Sequence, residues 1–252
     1  MNKYIRKIIN TLFSYRKNIH HFVCDGTELN IIDTIYPIKK YNTRCIEDDI
    51  GGWYSAIYLS KRKTFQPILL NVQKIINLWS KIVYEPQSAL ILGCAGCSIV
   101  RYLSFRYPQC NITGIEYSNT LIEIAKNYFF IDQYSHFKLH HDDAFQYVKN
   151  ENKQKYDIIC VDLFSKNKIC PQIFDKNFIN ELYRISKVNT LIIINMFGVK
   201  QGRIKAIEHI GYEKIIVSDK NNCLYLVLIR SNDNNLTNTY IYKLKKLFHI
   251  IT

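Results

Sequence analysis

Proline is scarce in this chain, with 5 among 252 residues, and that excludes collagen-like and proline-rich disordered classes. No apolar run reaches the ~18 residues that a membrane-crossing helix requires, because Lys, Asn or Asp interrupts each stretch. The longest, Thr190 to Val199, has the length of a buried strand. No small-residue cleavage site follows an apolar core near the start, so a secretory signal is not expected. No internal repeat is present. Acidic residues are few: 21 Asp and Glu stand against 34 Lys and Arg, a formal charge of +13. That balance raises nucleic acid and anionic membrane as partners. The chain is also crowded with Lys, Asn, Ile and Tyr, as an A/T-rich coding sequence would make it, so neither partner is favoured. What remains is a globular, cytoplasmic protein, 48% hydrophobic, long enough for one substantial core and a small extra lobe. Its 8 cysteines are scattered, several within apolar runs (Cys110, Cys160, Cys223). That usage fits free thiols in a reducing compartment and not a disulfide framework.

Four segments are expected. Residues 1–22 place Ile5, Ile8, Ile9, Leu12 and Phe13 on one helical face, ringed by Lys3, Arg6, Lys7, Arg16 and Lys17, the pattern of a basic amphipathic helix. Residues 23–65 turn to short β-type runs, LNIIDTIYPI and WYSAIYLS, around a DDIGG turn, and predict a small antiparallel lobe. Residues 66–230 form the main domain. It opens with a helix over 66–81 and then alternates strands (89–92, 111–116, 156–162, 191–195, 214–218, 224–229) with helices (98–107, 120–129, 143–149, 175–186, 202–209). That alternation predicts a parallel sheet covered by helices, closed by a hairpin. Residues 231–252 read as a polar linker, SNDNNLTNT, and a basic amphipathic tail.

The chemistry gathers at predicted strand ends. The first strand runs into Leu92-Gly93-Cys94-Ala95-Gly96-Cys97-Ser98 and then a helix, so backbone N–H groups and a helix N-terminus can approach a ligand closely. The second ends in Gly114-Ile115-Glu116, about 20 residues later, where a carboxylate can accept ribose hydroxyls. His141-Asp142-Asp143-Ala144 precedes another helix, and a further strand ends in Val161-Asp162-Leu163-Phe164. Asp143 alone would read as a helix cap. The series of strand ends together points to a nucleoside-containing ligand at the carboxyl edge of the sheet.

Residues 44–229 resemble the spermidine/spermine synthase family, a branch of the class I S-adenosylmethionine-dependent methyltransferase fold. The stretches that carry the resemblance are ALILGCAGCSIVRYL, ITGIEYSNTLIEIAKNYF, HHDDAFQYV, YDIICVDLFSKNKICP and FINELYRISKVNTLIIIN. It implies an α/β fold with a Rossmann-like, seven-stranded methyltransferase-type sheet and a small N-terminal antiparallel β lobe. It implies that Gly93 and Gly96 hold the aminopropyl or amino-acid moiety of the donor, Glu116 the ribose, and Asp143, with its neighbour Asp142, the adenine. Asp162 would handle the acceptor amine as general base. The implied reaction moves the aminopropyl group of decarboxylated S-adenosylmethionine to a polyamine, with no metal. A small-molecule amine acceptor is the expected partner, with a second copy of the chain in a homodimer as a further one.

The departures from the family keep two rivals open. Ala95-Gly96 stands where aminopropyltransferases carry a loop Asp, and Ser165 stands where they carry a second Asp three residues after the catalytic one. The diamine-pocket signature is not recognisable in TFQPILLNVQ, although Tyr41, Tyr54 and Glu47–Asp49 of the lobe could contribute. One rival is a methyltransferase using S-adenosylmethionine itself, and the other is an inactive nucleoside-binding or interaction protein of the same fold. Cys94 and Cys97 have no second pair at zinc spacing and read as replacements for loop glycines. His20-His21 and His140-His141 read as surface or strand-end residues.

Overall fold

The computed structural model describes residues 12–38, 42–59, 71–165, 168–208, 211–218 and 224–251. A four-stranded antiparallel lobe comes first, in the order β1 (Tyr15–Cys24), β2 (Thr27–Ile35), β3 (Thr43–Asp48) and β4 (Trp53–Tyr58). The larger domain contains α1 (Asn71–Ser80), β5 (Ser88–Leu92), α2 (Ser98–Arg106), β6 (Asn111–Glu116), α3 (Asn119–Phe129), β7 (Phe137–His141), α4 (Ala144–Asn150) and β8 (Tyr156–Val161). After a two-residue hairpin pair, β9 (Phe164–Ser165) and β10 (Lys168–Ile169), come α5 (Lys176–Arg184), β11 (Ser186–Asn195) and α6 (Gln201–Lys205). The chain ends with β12 (Glu213–Ser218), β13 (Leu224–Arg230), α7 (Asn234–Lys245) and β14 (His249–Ile251).

The central sheet has the order β14-β12-β13-β11-β8-β5-β6-β7. Strands β11, β8, β5, β6 and β7 are parallel, and β13 joins antiparallel to β11. This is the expected methyltransferase-type α/β sheet with its antiparallel N-terminal lobe, extended at one edge by the short β14. Both faces of the sheet are buried, so its strands read as continuous apolar runs whose alternate residues enter different cores. Ala89, Ile91, Ile158, Cys160, Leu191 and Ile193 face α1, α2, α3, α7 and the lobe. Leu90, Leu92, Ile159, Val161, Ile192 and Ile194 face α4, α5 and α6. Among the described residues no helix is long and apolar enough to cross a membrane.

The topology chooses the site. After β5 the chain builds β6 and β7 on one side, then returns to lay β8 on the other side of β5. A crevice opens at such a switch point beyond the carboxyl ends of the strands, and Gly93 and Asp162 flank it.

Three expectations are corrected. The basic amphipathic helix over 1–22 does not run through its second half: residues 1–11 lie outside the described set, and Tyr15–Cys24 is strand β1. Pairing with β2 wins there because Asp25 and Gly26 adopt positive φ, 50° and 75°, the two-residue hairpin turn that Asp-Gly favours. The strands of the lobe therefore begin at Tyr15 rather than at residue 23, and the expected end over 60–65 lies outside the described residues. Residues 231–252 are not a linker and loose tail. Asp233 caps α7 by accepting from the N–H groups of Asn235 and Leu236, and Tyr240 and Leu244 are buried. Tyr240 packs edge-on to Trp79 of α1 and donates to the Ile75 carbonyl. Strand β7 was not among the expected strands, because its edge sequence FKLHH is short and alternates over only two apolar residues, Phe137 and Leu139, neither fully buried. The beginning of the helix expected over 66–81 lies outside the described residues, which begin at Asn71.

Candidate active site

Gly93 opens the loop after β5 at φ 83°, and a side-chain carbon there would overlap the Asp162 carbonyl oxygen. Glycine is required by this approach, which sets the loop directly against the end of β8. Ala95 and Cys97 also hold positive φ, 43° and 60°, so two left-handed positions are filled by residues with side chains, at an energetic cost. The thiols of Cys94 and Cys97 are buried. Its hydrogen bond with Cys97, together with burial, pushes the Cys94 thiol well above the ordinary value. That makes it a packing group rather than a nucleophile.

Glu116 ends β6 with its side chain turned into this loop. One carboxylate oxygen accepts from the backbone N–H groups of Cys94 (3.0 Å) and Ala95 (2.9 Å), and the other from Ser118 N–H (2.9 Å). A carboxylate offers about four acceptor positions, so about one remains for a ligand hydroxyl. The residue is buried, and its geometry fits a single ribose contact.

Gly96 is placed differently from expectation. Its N–H donates to Ser55 Oγ of β4 at 2.9 Å, and an added Cβ would meet Ser55 Cβ at 2.7 Å. Next to it, Ser98 Oγ accepts from Ala56 N–H at 3.2 Å. Gly96 therefore serves to dock the lobe on the start of α2. Asp143 acts through Oδ1 as the cap of α4, accepting from Phe145 and Gln146 N–H at 2.9 Å each. Asp142 is exposed, accepts from Asp143 N–H at 2.7 Å, and borders a shallow cleft with Tyr147 and Glu151. His20, His21, His140 and His141 are all exposed.

Asp162 stands just beyond β8, across the switch point from Gly93. Asn195, the last residue of β11, donates from Nδ2 to Asp162 Oδ1 at 2.9 Å, while its own oxygen accepts from Phe197 N–H at 3.0 Å. This fixes the amide orientation and the carboxylate rotamer. Burial raises the Asp162 carboxyl above its ordinary value; the Asn195 bond opposes that shift, and the Glu116 charge adds to it. Beside the carboxylate lies a small cavity of about 40 Å³, walled by Val72, Ile99, Ile193 and Tyr225. The arrangement can hold a protonated amine, take its proton and orient its lone pair.

The structure thus brings Gly93, Glu116 and Asp162 together, whereas Gly96, Asp142 and Asp143 have structural partners of their own. Of the lobe candidates, Tyr41 lies outside the described residues. Glu47 is bonded to Arg16, and Asp48 accepts from Gly52 N–H in its turn. Two residues were missed. Asn195 had a signal, a polar residue ending an apolar strand at the ligand edge. Ser55 had none, since only the docking of the lobe brings it to the loop.

Residues 71–209, more than half of the chain, match the family model of the spermine/spermidine synthase domain. The chain belongs to this family. Its resemblance to a polyamine aminopropyltransferase of Vibrio vulnificus amounts to 26% identity over 119 residues, 46% of this chain and 40% of that enzyme. The chain thus spans about two fifths of that relative's length. Among solved structures, a probable spermidine synthase from Corynebacterium glutamicum superposes with a TM-score of 0.66 at 17% identity, covering 89% of this chain and 86% of that one. Human methyltransferase-like protein 13, solved in complex with SAH, superposes with a TM-score of 0.55 at 16% identity, covering 71% and 92%. Family members of the first kind and methyltransferases of the second thus share this fold.

Proposed function

We propose that this protein is a transferase that moves the aminopropyl group of decarboxylated S-adenosylmethionine to an amine nitrogen. The observation that carries the reading is the Asp162–Asn195 pair, held over a cavity at the switch point and facing the Gly93 turn. When bound, the sulfonium supplies an electrophilic carbon and a thioether leaving group. Glu116 holds a ribose hydroxyl through its remaining acceptor position. Asp162 binds the ammonium of the acceptor, accepts its proton and leaves the nitrogen lone pair aimed at the loop. A raised carboxyl value suits that role, because it brings the base closer to the amine whose proton it takes.

Methyl transfer from S-adenosylmethionine is the second reading, favoured by Ala95 at the loop position where the family's aminopropyltransferases carry an acid. One assay separates the two. Each sulfonium donor is incubated with a panel of amines and the nucleoside product is identified. Methylthioadenosine supports aminopropyl transfer, and S-adenosylhomocysteine supports methyl transfer. Nucleoside binding without either product would leave a binding protein of this fold.

A further inference from the structure

The acceptor side of the site has a charge pattern that argues for a substrate class narrower than the family's. Among the described residues lining the cavity, Asp162 is the one carboxylate. Asp162 and Asn195 form its polar end, and the rest of its lining is Val72, Ile99, Cys160, Val161, Ile193 and Tyr225. Among the described residues Glu116 is the one other carboxylate whose charge acts on Asp162, and three of its four or so acceptor positions are filled by the Cys94, Ala95 and Ser118 N–H groups. It belongs to the donor side.

An attacking nitrogen has to face the donor over the Gly93 turn, so it sits at the Asp162 carboxylate. The remainder of the acceptor then extends into the cavity beneath. A cavity of about 40 Å³ is roughly three times the ~10–15 Å³ that one water needs, so it admits a short chain. A second ammonium placed there would lose its hydration without a carboxylate to replace it, and apolar walls do not compensate a buried charge. A methyl or methylene group loses nothing of the kind and is favoured by the same walls.

We propose that the acceptor is a small amine with one cationic nitrogen and a short apolar tail, seated with its nitrogen between Asp162 and Asn195 and its tail against Val72, Ile99 and Ile193. This rests on the assignment of Asp162 as the acceptor-side base. The seated ammonium first passes a proton to Asp162, and the freed lone pair of the nitrogen then bonds to the donor carbon as the carbon–sulfur bond breaks. The sulfur keeps the electron pair and leaves as a neutral thioether, and the product nitrogen leaves as a secondary ammonium.

The test compares amines matched in length that differ in one terminal group: propylamine with ethane-1,2-diamine, butylamine with 1,3-diaminopropane, and pentylamine with putrescine. Full-length protein is assayed with decarboxylated S-adenosylmethionine and, separately, S-adenosylmethionine, with methylthioadenosine binding measured alongside. The expected result is a kcat/KM at least tenfold higher for the monoamine in each pair, with the shortest pair fastest. Val72→Asp should raise the diamine-to-monoamine ratio at least tenfold, whereas Val72→Asn, of the same shape without the charge, should not. A wild-type preference for diamines overturns the inference even if the variants fail to fold, and leaves the transferase reading in place. Nucleoside binding with turnover of no amine overturns both.

Discussion

Strand β8 carries an aspartate near its start and another just past its end, and the two live in opposite electrostatic circumstances. Asp157, at the amino edge of the sheet, accepts from Tyr84 OH, the N–H groups of Gln87 and Ser88, Ser88 Oγ and Lys187 Nζ, all at 2.8–3.0 Å. Burial alone would push its carboxyl up, but the bonds from Lys187, Tyr84 and Ser88 outweigh it, and the group titrates below its ordinary value. Asp162, at the carboxyl edge, has Asn195 as its side-chain donor and is pushed up by burial and by Glu116. A carboxylate with its lone pairs filled ties strands and loops together. One left short of donors keeps the capacity to bind and take a proton. The difference separates the structural end of this sheet from the chemical end.

The largest effect should come from removing the reactive member. Asp162→Asn should lower turnover by roughly 10²–10⁴-fold, the range for a lost acid–base group, while methylthioadenosine affinity measured by calorimetry stays the same. Undiminished turnover would place the base elsewhere. Removal of the structural member should act on folding instead. Asp157→Ala removes the acceptor of the Gln87 and Ser88 N–H groups and of the part-exposed Lys187 and should cost about 1–3 kcal/mol in urea denaturation. A loss below about 1 kcal/mol would mean that water replaces the network. Glu116→Ala should weaken methylthioadenosine binding by about 1–3 kcal/mol and, because it removes the acceptor of the Cys94, Ala95 and Ser118 N–H groups, should lower nucleoside-free melting as well.

The smallest effect is the one that sets the two aspartates against each other directly. Asp157 binds its proton less tightly folded than unfolded, so its stabilisation is present above about 3.8, the ordinary Asp value, and is lost as pH falls through the folded value. Asp162 has the reverse sign: its contribution is full below 3.8 and is lost as pH rises through its raised folded value. The melting advantage of wild type over Asp157→Asn should therefore shrink on acidification. The advantage of Asp162→Asn over wild type should appear as pH rises from 4 to 7. Parallel pH curves for the two variants would abolish the distinction.

Several parts of this architecture were legible because they are local. Apolar runs such as LIIIN and DIICV declare strands buried on both faces, and Gly93 and Glu116 mark strand ends by their place after such runs. Asp162 was legible for the same reason. The hairpin of β1 and β2 was legible too, in Cys24-Asp25-Gly26-Thr27, but the 3.6-residue spacing of Ile5 to Phe13 masked it. The α7 helix was hidden by its own cap, because SNDNN looks like a linker until Asp233 is seen to hold the first N–H groups.

The sequence by itself determined the alternation of elements, the identity of the strand-end residues and the shortage of acid along the chain, since all three are properties of neighbouring residues and composition. Only the tertiary structure decided which strand-end groups meet. The resemblance implies ligand roles for Gly96 and Asp143, yet the first is held by Ser55 from a strand 41 residues away, and the second caps its own helix. Asn195 reaches Asp162 across 33 residues. Those pairings depend on the order in which strands are laid beside β5 and on how the lobe docks on α2. Such long-range contacts arise from burial of whole faces and leave no periodic trace along the chain.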